Sequence, residues 1–195
     1  MFNIILDKLP TEYEGYRINT DFQIGIQISQ LIGDIELSED ERLCWALSLL
    51  FPTEDEEGNE LQIPDMDTAI AGLRWFLGDW IHDNLPKAEN TAKVTDYDID
   101  QWRIYAAFLS QYGINLNTAQ LHFWEFMGLL QNLEECAYTR VIDIRQRTET
   151  GKMGDKEKKA LRKAKQIYKL PDAESEMTAE EISAVEKFRQ MVKNG

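Results

Sequence analysis

Reactive chemistry in this chain would have to come from two histidines, two cysteines and a large stock of carboxylates. His122 and Glu125 stand at H-x-x-E spacing, which puts both on one face of a helix. Metal sites of that kind draw further His or carboxylate ligands from other helices. The second histidine, His82 beside Asp83, offers no such set, so a partly buried structural histidine is the simpler reading. Asp96, Asp98 and Asp100 imitate the opening of a calcium loop. Yet the turn position that requires Gly holds Gln101, and the closing Glu is Ala107. They read better as acidic residues at a helix N-terminus, where the dipole favours negative charge. Cys44 lies within an apolar run, Cys136 follows a helix, and neither has a neighbouring His or Lys to make a thiolate. No nucleophile elbow, P-loop or dinucleotide fingerprint is present. No cofactor is expected, and the chain reads as noncatalytic.

The elements that would position these residues are nearly all helices. Glu14-Gly15 between short Tyr- and Ile-containing arms predicts a small β-hairpin within residues 1–20. Phe22 to Ile32 fits both strand alternation and helical spacing; Thr20 as N-cap and Asp21 in the first turn favour a helix ending near Gly33. Ser38-x-x-Glu41 is a capping box for a helix over 39–51, stopped by Pro52. Asp65 or Asp67 opens a helix with Ile70, Leu73, Leu77, Trp80 and Ile81 on one face. Trp102, Tyr105, Leu109 and Tyr112 form a stripe on the next helix, beside Ile104 and Phe108, with Gly113 as its C-terminal cap. Asn117 or Thr118 opens a helix lined by Phe123, Phe126, Met127, Leu130 and Leu133. A shorter helix begins near Thr139. A lysine-rich helix follows from Asp155, with Leu161, Ala164, Ile167 and Tyr168 inward, and Pro171 ends it. A second capping box, Thr178 to Glu181, starts a last helix through Val192. The expected class is mainly α, a multi-helix bundle with a small N-terminal β-hairpin. The organisation is read as the hairpin (1–20), a first helical half (21–84), a linker (85–95), a second helical half (96–171) and an acidic spacer with a C-terminal helix (172–195).

Charge separates along these elements. The 195-residue chain carries −14, with 43% apolar residues, enough for a core. Residues 1–100 hold 22 acidic and 6 basic side chains, whereas 139–170 hold 11 basic and 4 acidic. The acidic body repels phosphate over a screening length of ~8–10 Å, which argues against a general nucleic-acid binder. The basic helix 155–169 keeps a regulatory nucleic-acid module as a minor reading. No apolar run reaches the ~18–20 residues of a membrane helix. MFNIILDKLP lacks the marks of a signal peptide, and a reduced, cytosolic compartment is expected.

Four segments carry a family likeness. They are Ile18-Asn19-Thr20-Asp21-Phe22, the turn Tyr112-Gly113-Ile114-Asn115-Leu116, the helix start Leu121-His122-Phe123-Trp124-Glu125-Phe126, and the lysine-rich helix closing on Tyr168-Lys169-Leu170-Pro171. Together they resemble the bacteriophage gene-product-fifteen family, tail-assembly proteins of long-tailed phages of Gram-positive hosts. Phe123 stands where that family typically has Trp, which keeps the bulk.

The resemblance implies a tail assembly chaperone. Such a protein binds the tape measure protein, keeps that long helical chain soluble and helps recruit the major tail tube protein. It acts in the host cell cytoplasm and is absent from the mature virion. It is a homo-oligomer, or a hetero-oligomer with a related frameshift-extended form. A structural tail or neck component retained in the virion is the alternative. A helical client calls for apolar anchors between helices, and Tyr105, Phe108, Tyr112, Phe123, Trp124 and Phe126 are the candidates. Most of them also suit an ordinary core; Trp124 and Tyr112, with polar tips beside the inter-helix turn, are expected to reach the surface. Lys158, Lys159, Arg162 and Lys163 are the candidates for contact with an acidic partner or another copy.

Overall fold

The computed structural model describes residues 3–55, 57–79 and 94–171. His82, Trp80, Ile81, most of the expected linker and the expected last helix lie outside the described residues.

Glu14 and Gly15, with φ of 50° and 83°, turn the chain between β1 (Glu12–Tyr13) and β2 (Tyr16–Arg17). Two successive positive φ angles make the tight turn whose twist suits a two-residue hairpin loop. Seven α-helices follow among the described residues: α1 (Phe22–Ile32), α2 (Glu39–Leu50), α3 (Met66–Arg74), α4 (Gln101–Tyr112), α5 (Phe123–Gln131), α6 (Ala137–Gln146) and α7 (Asp155–Tyr168). The chain is mainly α with an N-terminal hairpin, as its sequence predicts. None of the described helices is long and apolar enough to cross a membrane.

Caps set most of the boundaries. The Ser38–Glu41 box closes reciprocally at the start of α2, and Asp65 accepts the Thr68 N–H at the start of α3. Asp21 is the N-cap of α1, one residue later than expected, and its carboxylate accepts the Gln23 N–H. After α3 the helix widens into a π-turn over Trp75–Asp79. The α5 expectation needs a larger correction. Asn115 closes a separate turn over 117–119. The chain then runs extended, because Leu121 and Phe123 exchange backbone hydrogen bonds with Phe22 and Thr20. Helix therefore begins only at Phe123.

Two apolar clusters meet across α5. Ile28, Leu50, Leu73 and Phe76 pack with Phe123 and Trp124 on one side. Phe22, Ile104, Phe108 and Tyr138 pack with Phe126 and Leu130 on the other. Rings run through both: Phe76 stacks on Phe123 at 5.1 Å, and Phe126 stacks between Phe22 and Phe108 at 5.1 Å from each. The α1–α5 approach is so close that a Cβ at Gly25 would fall 2.1 Å from the Phe123 ring.

Candidate partner-binding surface

The residues of α4 divide sharply. Ile104, Ala107 and Phe108 are buried and face α5 and α6. Trp102, Tyr105 and Leu109 lie on the outer side, at i, i+3 and i+7. Trp102 is 76% exposed and Leu109 45%, and Tyr105 is half-buried at their flank. Trp102 and Tyr105 meet edge to face, with ring centroids 6.1 Å apart. Arg103 is the single charged residue in α4, in a chain with 29% charged residues, and it pairs with Asp100 at 3.0 Å. The result is a charge-poor aromatic and aliphatic ridge about two turns long.

Both ends of the ridge are fixed. Asp100 precedes α4 but does not cap it through its side chain. Its buried carboxylate turns instead to Arg145 of α6, at 2.6 and 3.1 Å. The same guanidinium donates to the carbonyls of Val94 and Tyr168, each at 2.7 Å. At the far end Gly113 takes φ of 69°, a left-handed cap that costs other residues a steric penalty. The Tyr112 hydroxyl donates to the Leu129 carbonyl at 3.0 Å and ties α4 to α5. The Tyr97 ring packs against the Phe126 cluster beneath, and burial pushes its phenol up to about 12.

The aromatic candidates fall into two groups. Phe108, Phe123 and Phe126 are buried in the clusters that carry α4, and Tyr105 and Tyr112 are half-buried. Trp124 does not reach the surface as expected. It is 3% exposed, because its indole N–H finds the Phe76 carbonyl at 2.8 Å inside the fold and no longer needs water. Trp102 and Leu109, which the stripe contained but which were not singled out, are the exposed members.

His122 is fully occupied. Its Nδ1 accepts the Trp124 N–H at 3.0 Å, making it the N-cap of α5, and its Nε2–H donates to the Pro10 carbonyl at 2.9 Å. With a backbone N–H on one nitrogen and a carbonyl on the other, the neutral tautomer follows from the network. Burial lowers its pKa, against weaker upward pulls from the Pro10 carbonyl and Glu125. Among the described residues no group of three His, Cys, Asp or Glu side chains gathers around a metal position.

The basic candidates differ among themselves. Arg162 forks onto Glu149 at 2.5 and 2.7 Å, and Lys158 is half-buried. Lys159 and Lys163 are exposed on the opposite side from buried Leu161. Ile167 is 65% exposed rather than inward, since six residues beyond Leu161 carries it about 240° around the helix.

A comparison with protein-family models matches residues 5–170 to the family described as Bacteriophage Gp15 protein. The chain belongs to that family. Neither the curated proteins nor the solved structures gave a match. Family membership gives the chain a phage structural or assembly role. The family match spans the hairpin and all seven described helices, so the α4 ridge and its supports lie within the matched region.

Proposed function

We propose that this Gp15-family protein is a noncatalytic tail assembly chaperone, and that the outer ridge of α4 is where it receives a helical segment of the tape measure protein. The observation that carries the reading is the exposure of Trp102 and Leu109, with Tyr105 between them, on a helix rigidly mounted at both ends. A ridge with apolar residues at i, i+3 and i+7 matches the apolar stripe of an amphipathic helix, which recurs at the same spacing. Aromatic anchors supply large contact area at small entropic cost. The net charge of −14 opposes clumping of a chaperone that displays such a ridge.

On this reading the protein works in the host cell cytoplasm, delivers the client to the major tail tube protein and leaves before the particle is complete. The test is co-expression with the tape measure protein, together with mass spectrometry of purified virions. Client that is soluble only with this chain, and a virion that lacks it, support the chaperone. A stoichiometric copy in the virion, with client that stays insoluble, would instead assign a structural tail or neck component.

A further inference from the structure

The lysine face of α7 has no ion-pair partner among the described residues. Lys156, Lys159 and Lys163 follow one another at i, i+3 and i+7 on the side away from Leu161, and exposed Ile167 continues the line. None of these lysines makes an ion pair with a described residue. Residues 34–67 show the opposite imbalance, with 12 acidic side chains and the single basic Arg42. Glu36, Glu39 and Asp40 are exposed at the start of α2 and likewise make no ion pair with a described residue. One turn further on, Trp45 is 59% exposed on the outside of α2. Each face thus combines charge of one sign, without an ion pair among the described residues, with one exposed apolar side chain, and the two signs are opposite.

The geometry points to a heterologous contact between copies, in which the α7 stripe of one chain docks on the acidic start of α2 and Trp45 of a second copy. The faces belong to different parts of one chain: α7 packs on α6, while α2 packs on α1 and α3. A contact between unlike faces leaves a free face on each side, so it propagates head to tail rather than closing as a symmetric dimer. Opposite charge steers the encounter and excludes like-charged alternatives. Trp45 receives a lysine over its ring or Ile167 against its edge. A polyphosphate partner for α7 is disfavoured by the net charge of −14, whose repulsion is screened over ~8–10 Å. This inference does not depend on the chaperone reading.

Cys44 is exposed beside Trp45 and provides the test. In full-length protein carrying Lys163→Cys and Cys136→Ser, a short bis-maleimide linker joins position 163 of one copy to Cys44 of the next. The expected product is a ladder of dimers, trimers and larger species that disappears with Cys44→Ser. Products that stop at dimers, or a ladder that survives Cys44→Ser, overturn the proposal. A second experiment mixes two variants, Lys156→Glu/Lys159→Glu/Lys163→Glu and Glu36→Lys/Asp40→Lys, each confirmed as folded by circular dichroism. Each alone is monomeric by light scattering, and the mixture assembles again into species larger than a pair, since one junction keeps its native charges and the other has both signs reversed. Variants that still self-associate alone overturn it. So does a wild-type chain that stays monomeric at low salt while its α7 lysines bind duplex DNA.

Discussion

Asp100 and Arg145 lie 45 residues apart and form a two-pronged ion pair, with the carboxylate buried and the guanidinium nearly so. The pair locks the start of α4 to α6, and through the Tyr168 carbonyl it also holds the end of α7. Removing Arg145 leaves the buried carboxylate with Arg103 as its remaining ion-pair partner among the described residues, at 3.0 Å. Arg145→Met should cost about 3–5 kcal/mol in urea unfolding. Asp100→Asn/Arg145→Met should recover part of that loss, because the double variant leaves no buried carboxylate, and Arg103, which loses its partner, reaches solvent.

Gly25→Ala tests the α1–α5 approach. The added methyl meets a buried Phe123 ring that is stacked on Phe76 and has little room to move. Overpacking of this kind costs about 1–3 kcal/mol, and the better helix propensity of Ala returns ~1. With the added methyl 2.1 Å from a ring atom the cost falls at the upper end of that range, and a net loss of about 2 kcal/mol in the unfolding free energy is expected. A variant as stable as the parent would show that α1 and α5 are more loosely joined.

How much of this was legible in the sequence follows from the range of the interactions involved. The Glu14-Gly15 turn, the Ser38–Glu41 box and the Gly113 cap are local, and each was readable from a few adjacent residues. The faces of α4 were not. In QWRIYAAFLSQY two apolar stripes both have helical spacing, and periodicity cannot say which one the rest of the fold covers. Asp100 looked like one of three helix-entry carboxylates because its partner is remote in sequence. His122 carried no mark of an N-cap, a role set by the extended pairing of 121–123 with 20–22. The α4 ridge was therefore half seen: Tyr105 and Tyr112 were selected, while Trp102 and Leu109 needed the packing.

His122 gives the fold a pH dependence. Its folded-state pKa is lowered from 6.5, so the native state binds fewer protons than the unfolded chain. Its contribution is complete above about 6.5 and is lost as pH falls through the folded-state value. Protonation of Nδ1 removes the acceptor for the Trp124 N–H. The stability difference between wild type and His122→Asn, a variant that caps without titrating, should shrink as pH falls from 7.5 to 5.5. An unchanged difference over that range would remove His122 as the titrating group.

The most direct measurement of the central claim compares wild type with Trp102→Ala/Leu109→Ala, each co-expressed with the tape measure protein and analysed by size exclusion and light scattering. Both side chains are substantially exposed, so the thermal midpoint should stay close to that of wild type, within about 0.5 kcal/mol per site. The account predicts that wild type co-elutes with soluble client at a fixed ratio and that the double variant, equally folded, leaves the client in the pellet. A double variant that holds the client as well as wild type would contradict it.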